Sequence, residues 1–411
     1  MKKPGLVIFD VEGVLIPKHR YLFFGIGMTL GFSQFAKIIF YGLLYEIGLI
    51  SVKSTLRRVF RIFRGIKVQE LVQIFRQIPL TPGCKEVFEE LRRQGWKTAL
   101  ISSGLPTIVV KDLASTLRAD YAFGFELEVE EGIFKGEIWG DVIERDGKLL
   151  ALERILKIER LDPKDCVVVA DDRNNAPLFL PETLKIGYNS DFDIRMKADV
   201  LAAGKLVEIM PFIRGEPMRQ GNRLSKNRVL RKAIHASGFA IPIISSLVGA
   251  YPVAMSILVV SALYATSELA RMEKKSMPII SEITRHAATQ AEFYEFATAP
   301  ILFALGILLT LVLFPIPASS AAIATFAVGD SAASIFGGMF GKRTYSFNKE
   351  KTLEGSVAGF VFALLAGVFF VSPFKALIGA AVAMIIECLP LPLDDNLTMP
   401  LLTGAALVLL G

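Results

Sequence analysis

The sequence predicts an α/β parallel-sheet domain with a helical cap, followed by an all-α polytopic membrane domain of about seven transmembrane helices. Three observations carry this. Short apolar runs at 5–9, 97–101 and 166–170 alternate with helical patterns in the first half, and each run ends in polar residues. Past about residue 232 the charged character gives way to a series of longer apolar runs. The chain has 411 residues, 52% of them hydrophobic, with a mean hydropathy of +0.48. That is too long for one ordinary domain and too apolar for an ordinary soluble protein.

Gly5-Leu6-Val7-Ile8-Phe9 reads as a buried strand ending at Asp10. Lys2 and Lys3 precede only this short run, which is shorter than the h-region of a signal peptide. Residues 16–80 read as a largely helical cap inserted after the first strand. Its stretch from Tyr21 to Ile50 carries only Lys37 and Glu46 as charges, and fits either a cap core or an apolar face on a membrane. Gly25, Gly27, Gly31, Ser33, Gln34 and Lys37 interrupt it as a span. A helix at 85–94 leads to the second strand, 97–101, which ends at Ser102-Ser103-Gly104. A helix at 147–157 leads to the third, 166–170, which ends at Asp171-Asp172. Strands alternating with helices make a parallel sheet covered on both faces, whose chemistry collects at the carboxyl ends of the strands.

This first domain spans 1–213. Residues 214–232 form a basic juxtamembrane linker, with Arg214, Arg219, Arg223, Lys226, Arg228, Arg231 and Lys232 against Glu216. The net charge of +6 is modest and concentrated here, so anionic lipid headgroups fit as partners and nucleic acid does not. The membrane domain, 233–411, offers candidate spans at 233–250, 253–270, 297–314, 319–340, 355–372, 374–390 and 397–411. With the basic linker inside, Arg271, Lys274, Lys275 and Arg285 of one connection, and Lys342, Arg343, Lys349 and Lys351 of another, also fall inside. The chain therefore reads as an integral membrane protein whose first domain and polar motifs face the cytoplasm. Cys84, Cys166 and Cys388 have no disulfide or metal spacing and read as cytosolic thiols. No internal repeat is visible, and the sequence sets no oligomeric state.

In the first domain, Asp10 at a strand end with Glu12 two residues on supplies a nucleophile and a proton donor for a phosphate ester. Ser102 or Ser103 offers a hydroxyl and free N–H groups to a phosphate oxygen. Lys148 can neutralise the phosphate, and Asp171, with Asn174 and Asn175, can hold Mg²⁺. Caps and turns use the same residue types, but here they follow successive strands in order. The arrangement resembles the haloacid dehalogenase superfamily, in particular its phosphoserine phosphatase-like branch, over about residues 5–210. The resemblance implies a Rossmann-like fold with Asp10 as phosphorylated nucleophile and metal ligand, Glu12 as acid/base and Ser102 as phosphate-binding hydroxyl. It also implies Lys148 as the phosphate lysine and Asp171 as the Mg²⁺ ligand. Glu12 stands where the family normally has Asp. Ala170-Asp171-Asp172-Arg173-Asn174-Asn175 stands where it reads Gly-Asp-Gly-x-Asn-Asp. Asn175 thus removes a negative charge, which Asp172 partly restores.

In the membrane domain, Asp330 ends an apolar run and is followed by small residues and Gly337, Gly338 and Gly341. Close helix packing explains Gly337 and Gly341 but not an intramembrane acid. Lys342 and Lys351 can meet a nucleotide's phosphates, Glu354 can cap a helix or ligate a metal, and Asp394-Asp395-Asn396 follow a Pro-Leu-Pro stop. Phosphoryl transfer needs little beyond such cations, metal ligands and positioning. These elements, with Arg231-Lys232 to His235 and Lys351-Thr352-Leu353-Glu354-Gly355-Ser356, resemble the CTP-dependent polyprenol kinase group: dolichol, phytol and diacylglycerol kinases. That resemblance covers about residues 228–411. It implies CTP and Mg²⁺ as co-substrate and cofactor and a membrane lipid alcohol as substrate. It implies Asp330 and Lys351 as catalytic residues, His235, Lys342, Glu354 and Asn396 as binding residues, and Asp330, Asp394 and Asp395 as metal ligands. Phosphatidate cytidylyltransferases share the middle motifs, so a CDP-lipid product stays open. A first domain that only senses a phosphorylated ligand, and regulates the membrane domain, also stays open.

Overall fold

The computed structural model describes residues 4–17, 32–46, 49–216, 226–272, 275, 296–348 and 350–411. It divides into two compact units, residues 1–218 and 219–411.

The first unit is built on one sheet. Its strands are β1 (Leu6–Asp10), β2 (Lys97–Pro106), β3 (Tyr121–Glu130), β4 (Ile133–Trp139), β5 (Cys166–Ala170), β6 (Leu184–Tyr188) and β7 (Val200–Ala202). They lie in the order β4-β3-β2-β1-β5-β6-β7. Every pairing is parallel except that of β3 with β4. Leu6, Val7, Ile8 and Phe9 of β1 are all fully buried, as a central parallel strand covered on both faces must be. The covering helices include α4 (Cys84–Arg93), α5 (Thr107–Leu117), α6 (Gly147–Glu159) and the short α7 (Phe192–Lys197), numbered after the three helices of the cap described next. Val87 and Leu91 of α4, Val110 of α5 and Leu152 and Ile155 of α6 join β1 in one core, where the Phe9 and Phe88 rings pack at a tilt with centroids 4.8 Å apart. The second strand corrects the expectation. It continues past Ile101 to Pro106 through an irregular register, so Ser102 and Ser103 lie within it. The β3–β4 hairpin, β6 and β7 add strands that the sequence reading did not include. In β3, Phe125 and Leu127 are buried while Glu126 and Glu128 are exposed, an alternation that marks a half-covered strand.

The cap consists of α1 (Phe32–Glu46), α2 (Val52–Ile62) and α3 (Val68–Arg76). Ser51 caps α2 by accepting the Ser54 N–H. Phe60 and Phe63 are fully buried, and Phe60 packs edge-on to Phe125 at 4.8 Å and Phe134 at 6.1 Å. The Phe134 N–H donates to the Ile66 carbonyl at 3.0 Å and the Gly65 N–H to the Phe134 carbonyl at 2.9 Å, which ties the cap to the hairpin. The part of the apolar stretch at 21–31 lies outside the described residues. Within α1, Ile38 joins the core while Phe40 is 55% exposed.

In the second unit each of the seven expected runs is helical. They are α8 (Lys226–Ala236) with α9 (Ala240–Val248), then α10 (Ala250–Met272), α11 (Ala299–Leu313), α12 (Ala318–Phe340), α13 (Leu353–Gly367), α14 (Pro373–Cys388) and α15 (Asp395–Leu409). The expectation of seven spans is not met by length. Among the described residues two helices, Ala250–Arg271 and Ala318–Phe340, are long and apolar enough to cross a membrane. A helix such as α11, with 15 residues, reaches only about 22 Å against a hydrocarbon core of about 30 Å. The first run is broken by a 3₁₀ turn at Ser237–Phe239 and ends at Gly249, whose φ is +93°. Helix α12 is the core of the unit: Ala321 to Ala327 are all buried. Glycines let α13 approach it, since a Cβ on Gly355 would stand 2.7 Å from the Ala333 carbonyl oxygen and 3.0 Å from Gly337 Cα. The Gly337 and Gly355 backbones therefore serve close packing.

Candidate active site

The first constellation lies where β1 and β5 end side by side. Phe9 pairs with Val169, so Asp10 closes one strand level with the end of the other and Asp171 follows at once. The chain then turns back: Leu15 and Ile16 N–H both donate to the Val11 carbonyl at 2.9 Å, and Gly13 takes φ +82°. That turn brings Glu12 over β2, where the Ser102 hydroxyl donates to Glu12 Oε1 at 2.7 Å and accepts the Leu105 N–H. Ser103 is buried next to it. Lys148, in the first turn of α6, is buried and places Nζ 2.9 Å from Asp10 Oδ1 and 2.6 Å from Asn175 Oδ1. Asn175 in turn donates to Asp10 Oδ2 and, at 2.9 Å, to Asp172 Oδ1.

Two shifts follow from this packing. Burial, and next the neighbouring Asp10 carboxylate, push Glu12 up to about 7. For Lys148 burial opposes the charge, but Asp10, Asp172 and Glu12 outweigh it, and its pKa is raised. The site thus pairs an acid pushed up toward neutrality with an ammonium whose charge the neighbouring carboxylates favour.

Asp10, Asp171 and Asp172 each bring a carboxylate oxygen into a group within 4.8 Å. Together with Glu12 they carry more negative charge than Lys148 neutralises. Hard oxygen donors in this number suit Mg²⁺. The residues present therefore fit the ion that the sequence implied, through Asp10 and Asp171 as expected and through Asp172 in addition.

Asn174 and Asn175, expected together beside Asp171, take different partners. Asn174 donates to the Tyr45 hydroxyl of α1 and to Asp172 Oδ2, so it links the cap to the acid loop rather than facing Asp10. Arg173 joins it, donating to the Tyr45 carbonyl at 3.1 Å with its guanidinium 5.1 Å from the ring centroid. Asn175 is the neighbour of Asp10. In a 3₁₀ turn, adjacent side chains point in different directions, and the sequence alone does not say which one faces inward.

In the second unit, Lys232 and His235 are one helical turn apart on α8 and both buried, while Ala233 and Ile234 between them are exposed. Both reach Asp330 of α12: Lys232 Nζ lies 2.5 Å and His235 Nδ1 2.8 Å from Asp330 Oδ2. Asp330, expected as a metal ligand, is thus engaged by a cation and an imidazole. Lys351 forms the other centre, 2.6 Å from Glu387 Oε1 and 2.9 Å from Asp395 Oδ2. The Leu353 N–H to Arg343 carbonyl bond and the Asn348 side chain on the Cys388 carbonyl hold the loop that carries Lys351.

Other expected residues have structural engagements. Glu354 accepts the backbone N–H groups of Lys342 and Arg343, and the Lys342 side chain is exposed. Asp394 is exposed and caps α15 by accepting the Asn396 N–H at 2.9 Å, which places both residues at the helix start. Lys232 and Glu387 were not among the expected site residues. Glu387 sits at the end of the apolar α14, and a charge in that position is the signal that would have found it; Lys232 lies one turn before His235 on the basic α8.

Comparison with known proteins bears on the first unit. Residues 7–179 match the family model for haloacid dehalogenase-like hydrolase. The phosphoserine phosphatase of Methanocaldococcus jannaschii is 28% identical over 52% of this chain and 99% of its own. That of Archaeoglobus fulgidus is 30% identical over 48% of this chain and 56% of its own. A solved structure of a substrate-bound phosphoserine phosphatase matches 52% of this chain and 100% of its own at 26% identity, with a TM-score of 0.47. The N-terminal half of the chain is a phosphoserine phosphatase-like domain of the haloacid dehalogenase superfamily.

Proposed function

We propose that the first unit hydrolyses a phosphate monoester through an aspartyl-phosphate at Asp10. The observation that carries this is the contact of Asp10 with both Lys148 and Asn175, beside Glu12 at about 7. Asp10 attacks phosphorus, its carboxylate held in one orientation by the two donors. Lys148 balances charge on the phosphate oxygens. Protonated Glu12 hands its proton to the leaving alkoxide, then, as carboxylate, takes one from the water that opens the acyl phosphate. Ser102 positions Glu12 and, on rotation of its hydroxyl, donates to the phosphate. Mg²⁺ held by Asp10, Asp171 and Asp172 would supply further positive charge to the phosphate. In Asp10→Asn, Mg²⁺-dependent release of phosphate from a panel of monoesters falls at least 1,000-fold, a loss typical of a removed nucleophile. Unchanged release overturns the reading and leaves a ligand-sensing domain.

The second unit we read as a membrane enzyme that transfers phosphate from CTP to the hydroxyl of a lipid alcohol, of the polyprenol, dolichol, phytol or diacylglycerol class. Its support is the pair of buried charge clusters, Lys232–Asp330–His235 and Lys351–Glu387–Asp395, among apolar helices. Exposed apolar side chains on α10, such as Tyr251, Val260 and Leu269, fit contact with a bilayer. In this reading both units face the cytoplasm. Label from γ-labelled CTP enters the lipid if this holds. Label from the α-phosphate instead means a cytidylyltransferase, and no label from either means that the second unit has another role. Hydrolysis of the lipid phosphate just made would be futile, so this reading requires that the two units act on different substrates or in regulated alternation.

A further inference from the structure

The geometry assigns His235 as the general base that takes the proton of the acceptor hydroxyl, and this rests on the lipid-alcohol kinase reading above. His235 is 8% exposed, and its Nδ1 lies 2.8 Å from Asp330 Oδ2. In the neutral ring that contact puts the proton on Nδ1, donated to the carboxylate, and leaves the lone pair on Nε2. Lys232, at 2.5 Å, fixes the same carboxylate oxygen, so the orienting acid is itself held. Nε2 is buried and has no hydrogen-bond partner. A buried acceptor left empty is unusual in a folded protein and points to a donor that arrives with a ligand.

The surroundings say what kind of donor it is. Phe303 and Phe326 stand edge-on to the imidazole, with centroids at 4.2 and 4.9 Å. A charged or heavily hydroxylated acceptor would leave its other polar groups unpaired against those rings. An apolar chain ending in a single hydroxyl would not. The step balances with a nucleoside triphosphate as donor. The alcohol oxygen forms a bond to the γ-phosphorus while the bond from that phosphorus to the β–γ bridging oxygen breaks. The electron pair leaves with the nucleoside diphosphate, and the alcohol proton passes to Nε2 and then to solvent. Lys232 and Asp330 act on this step through the imidazole and are positioning residues.

The test uses the full chain in lipid nanodiscs with γ-labelled CTP and farnesol, phytol, hexadecan-1-ol or dioleoylglycerol as acceptor. If the wild type labels none of them, the kinase reading fails and takes this assignment with it. If it labels one, His235→Asn decides the assignment. Asparagine keeps a donor near Asp330 but has nothing at the place of Nε2. The expected result is a fall in kcat of at least 100-fold, with the KM for CTP within threefold and the melting temperature unchanged. Activity within threefold of wild type overturns it. A second comparison separates catalysis from packing. Against the same alcohol fluorinated on the carbon next to its carbinol, which ionises more easily, the deficit of His235→Asn shrinks at least tenfold. An equal deficit on both alcohols means a structural role, and the assignment falls.

Discussion

Lys148 and Asn175 hold Asp10 between them, and Asn175 is the partner whose loss is easiest to read. Asn175→Ala leaves a buried carboxylate and a buried ammonium each short of a hydrogen bond. The expected cost is about 1–3 kcal/mol in chemical denaturation of the first unit. A change below about 0.5 kcal/mol, the size common for surface substitutions, contradicts the contact. Glu12 gives a pH-dependent outcome in metal-free protein. Its pKa rises from 4.5 in the unfolded chain to about 7 in the folded one. The folded state therefore holds this proton more tightly, and the penalty for ionising it is absent below pH 4.5 and grows as pH rises to about 7. In EDTA, Glu12→Gln should raise the melting temperature at pH 8 and leave it unchanged at pH 4. Equal effects at both would refute the assignment. Cys84 supplies a control: burial pushes its thiol up to about 12, so iodoacetamide labels it at pH 8 only after unfolding.

At the scale of elements, two packing arrangements decide local stability. Phe60 anchors α2 of the cap to the β3–β4 hairpin through Phe125 and Phe134. Phe60→Ala should cost about 3–5 kcal/mol and lower phosphatase activity through a displaced cap. Retained stability would show that the cap is held elsewhere. In the second unit the α12–α13 contact has no room for a side chain at Gly355, as the distances to Ala333 and Gly337 show. Gly355→Val should therefore reduce folded yield, measured by size-exclusion of detergent extracts.

The elements were legible in the sequence to different depths. The strands that carry Asp10 and Asp171 were visible because burial on both faces makes a continuous apolar run. The hairpin was hidden because its exposed Glu residues dilute the apolar signal. Seven helical segments were visible by hydropathy, but length separates a span from a core helix, and the apolarity of α12 is largely that of a core. Within the sites, Asp10, Glu12, Lys148 and Asp171 were legible because their motif order mirrors strand order. Lys232 and Glu387 were not, since their significance comes from partners distant in the chain, Asp330 and Lys351; Asn175 was legible beside the metal, but its contact with Asp10 was not.

At the scale of the molecule, two chemistries on one chain should be separable by substitution. Asp10→Asn should abolish phosphate release and leave transfer of label from CTP within twofold. Lys351→Ala should do the reverse. Loss of both activities in either variant, with folding intact, would show that the chemistries are interdependent.

Tyr45 links events that are usually thought of separately. Its hydroxyl receives Asn174, its carbonyl receives Arg173, and its ring lies under the same guanidinium, so one residue of the cap is fastened to the loop bearing Asp171 and Asp172. A cap that lifts to exchange ester for product must release that loop as it does so. In the proposed hydrolysis Tyr45 is thus a latch that each opening of the cap releases.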